Sequence, residues 1–332
     1  MKDNKSRICI ATARNDGTTE RVNAILNGLH FAQKHNLPFH FSWVNDNHNS
    51  KNKLLDINPN LPDFFSRECK AHFLPLDDFR SRFSSSKDTK PDSVTGVSFS
   101  TEDAPGTNDT VLIPTVKTYS DTDYAAVVNY LFDQTVSSDI AHLIKEYQGA
   151  VGIHYRGGDV IYGRHRMTRH ALFNKSASLA MVEAVIAQNK KSRIIVFGTP
   201  VGETLGELRY LSNKYNNVEL AVDIMGQQRD GVIKECFLMS YCSCLYSAAG
   251  TGVSRLAKKI NRNLEVIKFV DYFSKKELLR ILEKGAENSS YTDLQRCNNA
   301  LKAIFLKSKN REILIRLINT LDPKNSSLLL SK

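Results

Sequence analysis

The sequence predicts an α/β fold, because short apolar runs alternate with segments whose apolar residues recur at helical spacing. At 332 residues, with 41% hydrophobic and 24% charged residues, the chain is long enough for two domains. The alternation occurs near the N-terminus and again after residue 150. We therefore predict two Rossmann-like domains facing a cleft, followed by a C-terminal helical tail. The expected boundaries are 1–140, 141–272 and 273–332.

The first domain is predicted from a strand over residues 6–13, a polar turn and an amphipathic helix. Residues 36–38 (Asn-Leu-Pro) end that helix, and 39–44 form the second strand. Residues 84–110 carry few large apolar side chains and are expected to form a long surface excursion. Residues 121–147 are predicted to form helices that lead into the second domain.

The second domain repeats the alternation. Its strands are predicted at 150–155, 193–198, 218–222, 244–247 and 264–269. Its helices are predicted at 171–189, 203–214, 230–241 and 253–259. Strands separated by helices of this length indicate a parallel sheet.

The tail from residue 274 is predicted to be helical, with apolar residues among lysines and arginines. Such a tail either packs on the core, which we expect, or lies on an anionic membrane surface. No stretch approaches the ~20 apolar residues of a membrane span, and the polar start lacks an apolar signal core. Six scattered cysteines without zinc spacing favour reduced thiols. We therefore expect a cytoplasmic protein, with peripheral contact at the inner membrane face as the alternative.

The formal net charge of +10 suits anionic partners such as nucleotide-sugars, an anionic membrane leaflet or nucleic acid. A basic surface that binds no partner explains the net charge equally well. Nucleic acid is not an expected partner, because the basic residues are not interleaved with aromatic ones and no known nucleic-acid-binding module is recognisable.

The segment from His154 to Asp159 carries the densest set of ligand-binding residue types. Arg156 offers a planar donor fork to phosphate oxygens, and Gly158 lets the backbone come close. His154 and Asp159 can direct hydrogen bonds. Because the segment follows a predicted buried strand, it lies where open α/β sheets bind ligands. For His154 alone, a satisfied core histidine is the alternative.

Two further segments are candidates for the same ligand. Gly250, Thr251 and Gly252 precede a predicted helix, where exposed amides and the positive helix end favour phosphate and Thr251 adds a hydroxyl. The alternative is a tight turn that needs glycine. Glu235 lies on the preceding helix, where a carboxylate can accept both donors on the Watson–Crick edge of guanine. A solvated helix carboxylate is its alternative.

Together these segments resemble the inverting fucosyltransferases that share an H-x-R-x-x-D-type signature. That family includes bacterial α-1,2- and α-1,6-enzymes, the core α-1,6-enzyme and the protein O-fucosyltransferases. The resemblance covers His154-x-Arg156-x-Gly158-Asp159, then 231–240 with 249–257, and more weakly 17–43. Gly157 stands where the family has a second arginine, and Glu235 stands where it has aspartate.

The resemblance implies a GT-B-like fold and a GDP-sugar donor, with no metal and no cofactor. Arg156 would hold the β-phosphate. Thr251 and the amides of Gly250 and Gly252 would hold the rest of the diphosphate. His154 and Glu235 would contact the base.

We therefore expect a metal-independent glycosyltransferase in bacterial surface polysaccharide synthesis, moving a sugar, fucose first, to a glycan hydroxyl with inversion. Arg156 would stabilise the leaving diphosphate. The base that activates the acceptor is Asp159, Asp16 or Glu20, which the sequence leaves unranked. The alternatives are another nucleotide-sugar donor on the same fold, or a non-catalytic protein that binds nucleotide or glycan.

Overall fold

The computed structural model describes residues 9–13, 17–43, 61–83, 111–112, 123–162, 175–226, 231–248 and 251–326. Within these ranges the strands are β1 (Cys9–Thr12), β2 (Phe39–Phe41), β3 (Val111–Leu112), β4 (Val151–His154), β5 (Ile194–Phe197), β6 (Val218–Leu220), β7 (Cys244–Ser247) and β8 (Glu265–Lys268). The helices are α1 (Thr18–His35), α2 (Arg67–Lys70), α3 (Leu76–Phe83), α4 (Ala125–Leu131), α5 (Gln134–Ser138), α6 (Ala141–Tyr147), α7 (Gly158–Ile161), α8 (Leu179–Gln188), α9 (Gly202–Lys214), α10 (Ala221–Met225), α11 (Gly231–Ser240), α12 (Gly252–Ile260), α13 (Phe269–Tyr272), α14 (Lys275–Glu287), α15 (Asp293–Phe305) and α16 (Arg311–Leu321).

The chain forms two compact units, and each is built from several stretches of sequence. The first contains Met1–His142, Asp230–Ser240 and Arg255–Asn263. The second contains Leu143–Arg229, Tyr241–Ser254 and Leu264–Lys332. This division differs from the three consecutive segments expected at 1–140, 141–272 and 273–332. Apolar periodicity shows that a helix has a buried face, but it does not show which body that face is buried against.

The first unit has a parallel sheet in the order β2-β1-β3 among its described residues. Helix α1 connects β1 to β2 and is buried around most of its circumference, since nearly every residue from Thr19 to Ala32 is buried. Its end is set by Asn36, which adopts the left-handed conformation at φ 51°, and by Pro38 two residues later. The predicted β-α-β start of the chain is therefore confirmed. The predicted excursion over 84–110 lies outside the described residues.

The second unit has a parallel five-stranded sheet in the order β6-β5-β4-β7-β8. The chain enters at the central strand β4, builds outward through β5 and β6, and then crosses back to place β7 on the other side of β4. All five strands were predicted from the sequence. The strand predicted over 218–222 ends earlier, at Leu220, because the chain turns there into α10.

One predicted helix of the second unit is shorter than expected. The prediction covered 171–189, whereas the helix begins at Leu179. Ser178 caps it by accepting a hydrogen bond from the backbone N–H of Met181. Residues 171–174 lie outside the described part of the chain.

The tail belongs to the second unit, in which α14, α15 and α16 bury their apolar faces. Its buried residues include Leu278, Leu282, Leu301, Leu314 and Ile318, each at most 4% exposed. Helix α14 also comes close to α8, since a Cβ added at Gly285 would lie 2.6 Å from the Cβ of Ala180. The expectation that the tail packs on the core is confirmed for these residues.

None of the helices in the described ranges combines the length and apolar content needed to cross a bilayer. The cysteines whose side chains are described are free thiols: Cys69, Cys236, Cys242, Cys244 and Cys297.

Candidate functional site

The second unit has a topological switch point between β4 and β7. The chain leaves β4 toward β5 on one side and later places β7 on the other, so the connections that follow these two strands diverge. In doubly wound sheets such a divergence opens a crevice at the carboxyl ends of the two strands, where ligands bind. The last residues of the pair are His154 and Ser247, which are partners in the ladder.

His154 joins the two sides of this crevice. Its side chain is buried, with Nδ1 3.3 Å from the hydroxyl of Ser247 and 3.4 Å from that of Thr251. Burial, together with the nearby charge of Arg156, lowers the pKa of His154 to about 3. The imidazole is therefore neutral at physiological pH and acts as a hydrogen-bonding group, not as a cation.

Arg156 lies two residues beyond β4 and is partly buried. Its charge acts on the His154 imidazole, which itself contacts Thr251, so the two predicted segments lie side by side. The contact of His154 with Thr251 therefore joins the end of β4 to the start of α12. A guanidinium beside a helix start is a suitable environment for phosphate oxygens.

Thr251 is almost fully buried and holds the start of α12. Its Oγ1 accepts a hydrogen bond from the backbone N–H of Ser254 at 3.2 Å and lies 2.7 Å from the Ser254 hydroxyl. This is the arrangement of an N-cap at the start of α12, which begins at Gly252. Gly250 lies outside the described residues.

The sequence analysis missed Ser247 and Ser254, the two serines that complete this hydroxyl cluster. The hydroxyl oxygens of Ser247 and Thr251 lie 3.3 Å apart, so Ser247 links the end of β7 to the start of α12. The signal for the start of α12 was Thr251 itself, because threonine is a preferred N-cap residue.

The glycines after Arg156 have conformational and packing roles. Gly158 has φ +45°, a conformation that favours glycine, and its N–H donates to the Thr204 hydroxyl at 2.7 Å. A Cβ at Gly157 would lie 2.9 Å from the Thr204 oxygen and 3.1 Å from Glu207 Oε2. A side chain at this position would therefore require the Thr204 and Glu207 side chains to shift. Asp159 lies in α7, but its side chain is outside what the structure describes.

Glu20 and Glu235 belong to the first unit. Both oxygens of Glu20 accept hydrogen bonds from Arg255, one of them at 2.6 Å, so the carboxylate is held in an ion pair. Glu235 is partly buried on α11, and burial raises its pKa to about 8. At neutral pH it is therefore mostly protonated, unlike the solvated carboxylate that was the alternative. Asp16 lies outside the described residues.

No protein family model matches the chain, and no curated protein matches it. Solved structures with a similar fold include selenomethionine fucosyltransferase NodZ from Bradyrhizobium, at 14% identity and a TM-score of 0.48, covering 79% of this chain and 94% of that one. NodZ alpha-1,6-fucosyltransferase soaked with GDP-fucose is 14% identical, with a TM-score of 0.46 and coverages of 77% and 93%.

POFUT1 in complex with GDP is 9% identical, with a TM-score of 0.46 and coverages of 81% and 99%. At these identities and TM-scores the similarity does not by itself assign an activity to the chain.

Proposed function

We propose that this chain is a glycosyltransferase that transfers a sugar, fucose first, from a GDP-sugar to a glycan hydroxyl with inversion. The observation that carries the proposal is the contact of His154 with Thr251, the cap of α12, at the switch point between β4 and β7, two residues before Arg156. A guanidinium and helix amides at that place suit the two phosphates of a nucleotide-sugar.

In the proposed reaction the acceptor hydroxyl oxygen attacks the anomeric carbon while the bond from that carbon to the β-phosphate oxygen breaks. The hydroxyl proton passes to a base, and the nucleoside diphosphate leaves with the bonding electrons. Arg156 and the amides at the start of α12 stabilise the charge that develops on the leaving group. His154, neutral and held by Ser247 and Thr251, supplies a fixed hydrogen bond.

The proposed base is an aspartate. Glu20 is a poor candidate, because Arg255 already bonds both of its oxygens. We retain Asp159 and Asp16 as the proposed bases, to be separated by Asp→Asn substitution and measurement of kcat with saturating donor. Transfer to a bacterial surface polysaccharide at the inner membrane face also remains part of the proposal.

The donor is tested by a thermal-shift panel of GDP, UDP, CMP and ADP, followed by incubation with GDP-fucose and mass analysis of the products. We expect GDP alone to raise the melting temperature and GDP-fucose to yield a product heavier by one deoxyhexose. A chain that binds none of the four nucleotides would contradict the proposal. Binding without hydrolysis or transfer would instead identify a non-catalytic binder.

A different nucleotide is the second candidate, and it is favoured by one observation. The raised pKa of Glu235 leaves its carboxyl mostly protonated at neutral pH, whereas guanine presents two donors that need a carboxylate. In the same panel, a shift with UDP, CMP or ADP and none with GDP would select this alternative.

A further inference from the structure

A buried polar cluster supports the segment that carries Arg156. It consists of Tyr155, Tyr162, Glu207 and Gln295, and we refer to it as the Glu207 cluster. Tyr155 donates to Glu207 Oε2 at 2.6 Å, while Tyr162 and Gln295 both donate to Oε1, Gln295 at 2.5 Å. Gln295 also donates to the Tyr155 hydroxyl at 2.6 Å. Three parts of the second unit therefore meet at one carboxyl group.

The cluster holds the segment after β4 from one side. Tyr155 precedes Arg156 directly, and its ring is 1% exposed. One turn before Glu207 on α9, Thr204 accepts the N–H of Gly158 at 2.7 Å. Arg156 thus lies between two residues that are both hydrogen-bonded to α9. A Cβ at Gly157 would lie 2.9 Å from the Thr204 oxygen of the same helix, so a side chain there would have to displace Thr204.

The tail completes the arrangement. Gln295 is fully buried on α15, and it also accepts the N–H of Leu179 at the start of α8 at 3.2 Å. Its amide therefore connects the tail both to the segment after β4 and to a core helix. Thr292, the N-cap of α15, lies 3.1 Å from the Tyr162 hydroxyl.

Burying these polar groups on folding carries a desolvation penalty that an apolar layer of the same size would not have. Glu207 is 5% exposed, and a buried carboxyl must be compensated by donors in well-defined geometry. Burial raises the pKa of Glu207 despite its three donors. In return, a fully hydrogen-bonded buried network admits one arrangement of its members and so fixes their orientation.

We propose that the Glu207 cluster positions Arg156 for the donor diphosphate, so that Glu207, Tyr155 and Gln295 are positioning residues and the C-terminal tail is part of the donor site's support. The inference rests on the proposed function, because it assumes that Arg156 binds the diphosphate. A displacement of a charged group by a fraction of an ångström weakens its bonds to a ligand.

The same unit offers a matched control. Glu183 on α8 is a second carboxylate held by tyrosines: Tyr291 donates to one oxygen, Tyr215 donates to the other at 3.0 Å, and Lys214 lies 2.6 Å from that oxygen. Lys214 lies seven residues beyond Glu207 on α9, which is about 10 Å farther along the helix axis. These partners lie outside the segment 154–158.

The test compares Glu207→Gln with Glu183→Gln in the full-length protein, with Tyr155→Phe as a milder second variant that keeps the ring. The dissociation constant for GDP is measured by calorimetry, the melting temperature by calorimetry or circular dichroism, and amide hydrogen exchange over 154–158 by mass spectrometry. We expect Glu207→Gln and Tyr155→Phe to weaken GDP binding about tenfold and to speed exchange in that segment. Glu183→Gln should lower the melting temperature without either effect.

Different results would overturn the proposed function and the positioning role of the Glu207 cluster. Wild-type protein that binds no nucleotide would overturn the proposed function, while the exchange data would still report whether the cluster orders residues 154–158. Unchanged exchange in Glu207→Gln, or equal weakening of GDP binding in Glu183→Gln, would overturn the positioning role. GDP affinity that is unchanged in both Glu207→Gln and Tyr155→Phe would overturn it as well.

Discussion

His154 and Ser247 are partners in the β4–β7 ladder, and the imidazole Nδ1 of one lies 3.3 Å from the hydroxyl of the other. They are 93 residues apart in sequence. Their contact exists because β7 is placed directly beside β4, on the side opposite to β5. It brings the segment of Arg156 and the start of α12 to one crevice, and the following predictions depend on that juxtaposition.

Arg156→Ala should abolish sugar transfer and weaken GDP binding with little loss of stability. Hydrogen bonds from a charged donor contribute about 1.5–3 kcal/mol, which corresponds to a rise of roughly 10- to 150-fold in the dissociation constant. Calorimetry with GDP and a melting curve measure both effects. Arg209→Ala is the control, because Arg209 is half exposed and pairs with Asp223 in the same unit. Unaltered turnover in Arg156→Ala would remove the central assignment.

Thr251→Ala should lower both stability and GDP affinity, because the Thr251 hydroxyl caps α12 and contacts His154. Loss of an N-cap costs about 1 kcal/mol, or roughly 2–4 °C in melting temperature for a unit of this size. Thr251→Ser keeps the hydroxyl and should behave like the wild type.

The control for the cap is Ser274→Ala, which removes the capping box of α14 in the same unit. It should lower the melting temperature by a similar amount and leave GDP affinity unchanged. If GDP affinity is also unchanged in Thr251→Ala, the start of α12 does not bind the diphosphate.

GDP affinity should rise with pH if Glu235 contacts guanine. The carboxyl has a pKa of about 8 in the free protein, so at pH 7 it must release a proton before it can accept two hydrogen bonds. Below pH 8 the dissociation constant should therefore fall with increasing pH, by at most about tenfold per unit. Calorimetry in buffers of different ionisation enthalpy will count the proton released.

Glu235→Gln supplies the control for that pH dependence, because glutamine does not titrate and should give a flatter profile. A wild-type profile identical to that of Glu235→Gln would exclude Glu235 from the guanine contact.

Glu235→Gln should also change the pH dependence of stability. A carboxyl whose folded pKa is raised loses its contribution as pH rises from about 4.5 to about 8, so Glu235→Gln should gain stability relative to wild type over that interval.

His154 should make the protein less stable in mild acid. The pKa of His154 is about 3 in the folded protein and 6.5 as its ordinary value. Below pH 6.5 the unfolded chain therefore binds a proton at this imidazole, whereas the folded protein does not. Stability present at neutral pH is therefore lost as pH falls toward 3, by at most about 1.4 kcal/mol per unit.

Urea unfolding of wild type and His154→Asn at pH 7 and pH 5 measures this dependence. The variant should lose less stability between the two values. His142→Asn, which removes an exposed histidine, is the control. Equal losses in wild type and His154→Asn would show that the imidazole is protonated in the fold.

Much of the fold was predictable because its signals are local. The strands of the second unit are short apolar runs, and the helices between them have a helical apolar period, so both are visible in a window of a few residues. The same holds for the end of α1 at Asn36 and for the capped start of α12. These features depend on neighbours within one turn of the chain.

Local patterns in the sequence were thus enough for the α/β class, the order of the elements and the residue types at the ends of β4 and β7. The packing of distant segments, by contrast, made those two ends adjacent, placed α11 and most of α12 in the first unit, and brought Gln295 of the tail to Glu207. The reason is the distance along the sequence over which each kind of interaction acts. Backbone geometry and apolar period act over a few residues, whereas strand order and buried polar contacts arise from the packing of segments a hundred residues apart.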